Sequence, residues 1–215
     1  MINRVQRERG QSGFSMAEIL VVLAVVAIMV AVSIPFIANY RRLYRSDEQS
    51  MQILDTMREA SQLALTRRRT VRFEIDLTDN VLLLIDERAV GQHIVVKKLP
   101  LYALRELRYD VVPSGVTRPN PPNYNDAVFA TDTLGHLEGT TPVTNHNVFA
   151  LRFRRDGSVV NSAGTLTSAT IYVFPPASYG SSTPRNIREV RAITIFGGTG
   201  AVRYWKHNGA TFGAA

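Results

Sequence analysis

The sequence contains no cysteine, so disulfides, thiolate metal sites and thiol catalysis are excluded. That absence does not fix a compartment. Histidine is scarce as well: His93, His136, His146 and His207 show no metal-ligand spacing and no HExxH pair. No Gly-X-Ser-X-Gly elbow occurs. Gly197-Gly198-Thr199-Gly200 lacks the Lys-Ser/Thr of a phosphate loop and reads as a hairpin turn. Asp86 and Glu87 are adjacent on a strand and point to opposite faces, which reads as a solvated turn and not as an acid–base dyad. Asp126 and Asp132 offer oxygen ligands to calcium in a loop-rich stretch, but without EF-hand spacing. No catalysis and no cofactor are expected.

What is present is a chain of 215 residues, 45% hydrophobic and 20% charged, with a formal net charge of +7. This suits one globular domain with an extra segment, large enough to bury a core. The positive balance, carried mostly by arginine, points toward anionic partners such as nucleic acid or membrane lipid. The basic residues are nevertheless spread along the whole chain.

The most informative stretch is N-terminal. Arg4, Arg7 and Arg9 stand against Glu8 in residues 1–13, which end in Gln11-Ser12-Gly13. Residues 14–38 are then almost entirely apolar, broken by Ser15, Glu18, Ser33 and Pro35. At about 1.5 Å rise per residue, a helix over that run crosses a bilayer core of about 30 Å. The preceding arginines favour a cytoplasmic N-terminus. A cleaved secretory signal would have a shorter apolar run ending in a small-residue site, and Ala31-Val32-Ser33 followed by Ile34-Pro35 is a poor one. A plain signal anchor explains the arginines and the length but leaves Glu18 without a reason. A carboxylate costs about 2.5–3.5 kcal/mol at the centre of a membrane helix, less near its end.

Gly13-Phe14-Ser15-Met16-Ala17-Glu18-Ile19-Leu20-Val21-Val22 resembles the type IV prepilin motif. The resemblance implies a cut between Gly13 and Phe14 by the inner-membrane prepilin peptidase, and N-methylation of Phe14. It also implies retention of the apolar helix as the filament core. Pro35 falls where many pilins carry a helix-kinking proline. The charge arithmetic agrees: cleavage creates a cationic amine at Phe14, and Glu18 is the carboxylate within the apolar run able to neutralise it. Inner-membrane anchorage with a periplasmic domain, and partnership with other pilin or pseudopilin subunits, follow from the same resemblance.

Past Ala38, a stripe of Ile37, Tyr40, Tyr44, Met51, Leu54, Ser61 and Leu65 continues the helix amphipathically over 39–69, interrupted by Asp47. Arg41, Arg42, Arg45, Asp47, Glu48 and Arg58 are expected to face water or neighbouring subunits. Arg67-Arg68-Arg69 reads as a solvated helix end. From Thr70 the period changes to two, with Val71, Phe73 and Ile75 alternating with Arg72, Glu74 and Asp76. Strands are expected at 81–85, 93–99, 148–153, 157–160, 169–174, 189–196 and 201–205, and more weakly at 104–112. Residues 113–147, rich in proline, form a long irregular excursion. The expected fold is α+β: a leader (1–13), a membrane helix (14–38), its amphipathic continuation (39–69) and an antiparallel, sandwich-like β domain (70–215).

Phe153-Arg154-Arg155-Asp156-Gly157-Ser158, the strand after it and the closing strand–Gly–strand hairpin are similar to the GspH/FimT group of minor pilins and pseudopilins. In that group Thr-Gly is followed by Arg, whereas here Thr199-Gly200 is followed by Ala201 and Arg203 comes two places later. The resemblance implies a low-abundance subunit of a type IV pilus or a type II secretion pseudopilus. Some FimT-like pilins bind DNA, and the tail Arg203-Tyr204-Trp205-Lys206, with Arg191 on the strand before it, interleaves cations and aromatics suited to phosphate and base contacts. The competing reading puts Tyr204 and Trp205 in the core and the cations along an exposed edge strand.

Overall fold

The computed structural model describes residues 15–88 and 92–214. The chain divides between Arg42 and Leu43 into two compact units. The first contains the start of helix α1 (Met16–Arg67), whose window Met16–Ile34 has a mean hydropathy of 2.8 and no buried residue. Ile19, Leu20, Val22, Ile28 and Val32 are all at least half exposed. Such a surface calls for lipid or other helices around it.

In the second unit the rest of α1 buries Ile53, Leu54, Met57, Ala60 and Ala64, a stripe at three- and four-residue spacing. The helix ends where Arg68 turns left-handed (φ 53°) and Arg69 N–H donates to the Ala64 carbonyl at 3.2 Å. This is the Schellman closure, with arginine where glycine is usual.

Two sheets lie under this helix. The long strands of the first are β1 (Thr70–Asp76), β2 (Val81–Glu87), β3 (His93–Pro100) and β7 (Asn147–Phe153). Three short strands, β4 (Ala130–Thr131), β5 (His136–Glu138) and β6 (Thr141–Val143), come from the stretch expected to be irregular. The order is β4-β7-β1-β2-β3-β5-β6, and a further short strand, β8 (Val159–Val160), also pairs with β7. β5 joins β3 in parallel through Ile94 and Leu137. The second sheet consists of β9 (Ala169–Val173), β10 (Arg191–Ile195), β11 (Val202–His207) and β12 (Phe212–Ala214), in the order β12-β11-β10-β9. The helix stripe packs with Phe73, Leu84, Leu151 and Phe153 of the first sheet and Ile171, Ile193 and Ile195 of the second in one core. The fold is α+β, antiparallel for the most part.

Two expectations are corrected. Residues 104–112 form no strand; they turn, and only Arg108 bridges, to Phe174. Asp86 and Glu87 are not a solvated turn: both are buried, Asp86 3.3 Å from Arg67 and Glu87 2.6 Å from Arg152. The polar face of β1 is also buried, with Arg72, Glu74 and Asp76 each at 0% exposure. Cross-strand neighbours share a face, so Leu83 and Ile85, opposite Glu74 and Arg72, lie on it too. It is crossed by the 130–146 stretch: the Gly135 carbonyl accepts from Arg72, and His146 Nδ1 lies 2.6 Å from Asp76. Burial pushes Glu74 up to about 7 despite Arg72, and the charges of Asp132 and Asp76 add to the rise.

Candidate functional site

Helix α1 opens on Ser15. Glu18 N–H donates to Ser15 Oγ at 3.3 Å and to its carbonyl at 3.0 Å. Ser15-Met16-Ala17-Glu18 therefore has the spacing of a capping box, and Glu18 sits in the first turn, where the helix dipole favours an anion. Its side chain is exposed within this chain. Pro35 lies inside α1, where it has no N–H to give the helix ladder. Gly13 and Phe14 lie outside the described residues. What the geometry presents is an apolar helix segment, Met16–Ile34, with no buried residue among those described and one carboxylate near its start. Residues 9–34 match the family model of the prokaryotic N-terminal methylation motif. That match supports a type IV prepilin-like precursor. No curated protein and no solved structure matches the chain.

The C-terminal tail divides into two kinds of residue. Arg203 and Lys206 are exposed, Arg203 standing 5.7 Å from the centre of the Trp205 ring. Trp205 itself is 7% exposed and donates its indole N–H to Thr194 Oγ1 at 2.9 Å. It packs with Tyr172, Phe174, Val190 and Ala192 in a second apolar cluster. Trp205→Ala is expected to cost about 3 kcal/mol of folding stability, measured by urea denaturation, because it leaves a cavity beside Thr194. The low end of the range applies because the cluster is small and able to relax.

Arg191 is engaged fully inside the domain. Its Nε and Nη2 donate to the two oxygens of Asp47 at 2.6 and 3.0 Å, and its Nη1 to the carbonyls of Arg188 and Val190 at 2.6 and 3.1 Å. Tyr204 donates its hydroxyl to the same carboxylate, and Lys206 Nζ lies 3.4 Å from it. Burial alone would raise the Asp47 carboxyl, but the hydrogen bonds from Arg191 and Tyr204 outweigh it and hold the group at about 2. Asp47, expected to face water or a neighbouring subunit, instead fastens α1 to β10 and β11. Arg45 likewise pairs inside the domain, with Glu106 at 2.6 Å. Asp126 is held by Arg118 at 2.7 and 2.8 Å.

One basic surface has no counterpart among the sequence expectations. Arg68, Arg69, Arg88, Arg154 and Arg155 line a groove of about 820 Å³, together with Thr70, Glu87, Gln92 and Asp156. Its acids are partly engaged: one oxygen of Glu87 accepts from Arg152 at 2.7 Å, and Asp156 accepts the Ser158 N–H and hydroxyl. The helix end and the β7–β8 turn are far apart in sequence, so only the fold brings these arginines together.

Proposed function

We propose that this chain is a minor pilin or pseudopilin of the GspH/FimT kind, a structural subunit and not an enzyme. Prepilin peptidase cuts between Gly13 and Phe14, the Phe14 amine is methylated, and the helix anchors the subunit in the inner membrane until it joins a type IV pilus or a type II secretion pseudopilus. The observation that carries this reading is the overlap of the methylation motif at 9–34 with a helix window, Met16–Ile34, that buries nothing within its own chain. Intact-mass and N-terminal peptide analysis of the protein from native membranes is expected to give a mature start at N-methylated Phe14. A start beyond Ile34 would mean ordinary secretion and overturn the reading.

A second reading, non-specific DNA binding, is favoured by the arginine groove. The tail offers less, since Trp205 and Arg191 are used internally. Full-length protein in detergent is expected to bind DNA with an affinity that falls steeply with salt. Arg154→Ala with Arg155→Ala is expected to reduce the salt slope by about two, one for each phosphate no longer neutralised. Arg203→Ala with Lys206→Ala is expected to change it less. No binding at low salt would leave the filament-subunit reading alone.

A further inference from the structure

The polar face of β1 carries a cluster that neither filament assembly nor the arginine groove uses. Glu74, at the middle of β1, meets Asp132 and His136 from the crossing stretch. One ligand atom from each of the three lies within 4.8 Å of the others, and all three residues are buried. Ligands about 2.1 Å from a shared tetrahedral ion stand about 3.4 Å apart, so the three draw together by roughly 1 Å to hold one.

The hydrogen bonding sharpens the case. Among the described residues, neither ring nitrogen of His136 and neither oxygen of Glu74 has a hydrogen-bond partner, although the His136 side chain is 1% exposed and that of Glu74 is 0%. Buried imidazoles and carboxylates are ordinarily satisfied, and orphans of this kind need a reason. Arg72 does not supply one for both acids. Its Nε is 3.2 Å from one Glu74 oxygen and 3.8 Å from Glu87, and its Nη1 is 3.9 Å from Asp132, so three carboxylates divide one guanidinium. The nearest acid to His136 outside the trio, Glu138, is 4.0 Å away and is bound by Lys98 at 2.6 Å. Asp132 is oriented from behind, its two oxygens accepting the N–H groups of Leu134 and Gly135 at 2.7 and 3.0 Å. Outer hydrogen bonds of this type hold ligating carboxylates in place.

We propose that Glu74, Asp132 and His136 form a binding site for a divalent first-row transition metal such as Zn²⁺, which pins the 130–146 stretch to the β sheet. The imidazole decides the class, because Ca²⁺ and Mg²⁺ take oxygen ligands, whereas nitrogen with carboxylate suits zinc and its neighbours. The second trio among the described residues, Asp76, Asp79 and His146, is more open, and His146 Nδ1 is already committed to Asp76.

The test uses the full-length protein in detergent, stripped with chelator. Titration with Zn²⁺ is expected to show one equivalent bound and a rise in the unfolding midpoint, while Ca²⁺ at the same concentration leaves the midpoint unchanged. His136→Gln, which removes the imidazole but keeps a polar side chain, is expected to weaken Zn²⁺ binding at least tenfold. His146→Gln is expected to leave it within about twofold. Co²⁺ supplies a readout that does not depend on any variant folding: its visible d–d bands on the wild-type protein report a site of mixed nitrogen and oxygen ligands, and Zn²⁺ displaces them. Absence of Zn²⁺ binding, a response to Ca²⁺ instead of Zn²⁺, or binding lost with His146→Gln but kept with His136→Gln would each overturn the assignment.

Discussion

Asp47→Ala is expected to destabilise the globular domain by about 4 kcal/mol in urea or thermal unfolding of the protein. The carboxylate accepts both arms of Arg191, the Tyr204 hydroxyl and the charge of Lys206. Removing it leaves a guanidinium 8% exposed without its counter-ion, and stripping one partner from a buried pair costs about 3–5 kcal/mol. The partner's remaining bonds, to the carbonyls of Arg188 and Val190, do not neutralise it. The pH dependence has a definite sign. The Asp47 carboxyl titrates at about 2 against an ordinary 3.8, so the folded state favours the ionised form. Its contribution, about 2 kcal/mol, is fully present above the unfolded value near 4 and is lost as the pH falls toward 2. The difference in stability between wild type and Asp47→Asn is therefore expected to shrink over that acid range. A constant difference from pH 5 down to pH 2 would show that the carboxylate's charge is not what matters.

This clasp also shows how far the sequence could be read. β1 followed from period-two alternation and the later strands from apolar runs bounded by turn signals, and β1, β2, β7, β9, β10 and β11 fall close to the expected ranges. The helix stripe was legible only in part: of the expected positions Leu54 is buried, but Tyr44, Met51 and Leu65 are exposed, and the buried face runs through Ile53, Leu54, Met57, Ala60 and Ala64. Asp47 was legible only as an interruption of that stripe, since its reason lies 144 residues away at Arg191. The same limit applies to β1. Arg72, Glu74 and Asp76 alternate with apolar residues in the manner of a strand with one wet face, yet they are buried. What covers them is a stretch whose prolines and asparagines signalled irregularity, and no local pattern says where an irregular stretch will lie. The groove formed by Arg68, Arg69, Arg88, Arg154 and Arg155 was hidden for the same reason: Arg68 and Arg69 read alone as a solvated helix end, and no local pattern ties them to Arg88, Arg154 and Arg155. Trp205 belongs to the interior, as the competing reading of the tail had it, and Arg191, on the strand before the tail, is turned to Asp47 and not to solvent. The N-terminal motif behaved differently. Its signal lies in contiguous residues, and the stretch matched at 9–34 is the one that stands out by leader charge, glycine, spacing and apolar run.

Glu18 carries the largest expected effect on assembly. Glu18→Ala is expected to insert in the membrane normally and to be recovered in sheared filaments at no more than about a tenth of the wild-type amount, since an unpaired charge costing even about 1.4 kcal/mol shifts an equilibrium tenfold. On the proposed processing, the amine released at Phe14 enters an apolar filament core, and Glu18 is the carboxylate in the span placed to meet it. A purely local role competes with this. Glu18 closes the first turn over Ser15, and its spacing from Ser15 is that of a capping box. Glu18→Gln separates the two roles, because glutamine serves a capping box as glutamate does but brings no charge. If pairing with the amine governs assembly, Glu18→Gln fails as Glu18→Ala does, while both variants are processed and retained in the membrane. If Glu18→Gln instead co-purifies with filaments at wild-type levels, the carboxylate serves the helix start and the proposed pairing is wrong. Quantifying each variant in the sheared and membrane fractions, alongside the N-terminal peptide, separates a defect in assembly from one in cleavage.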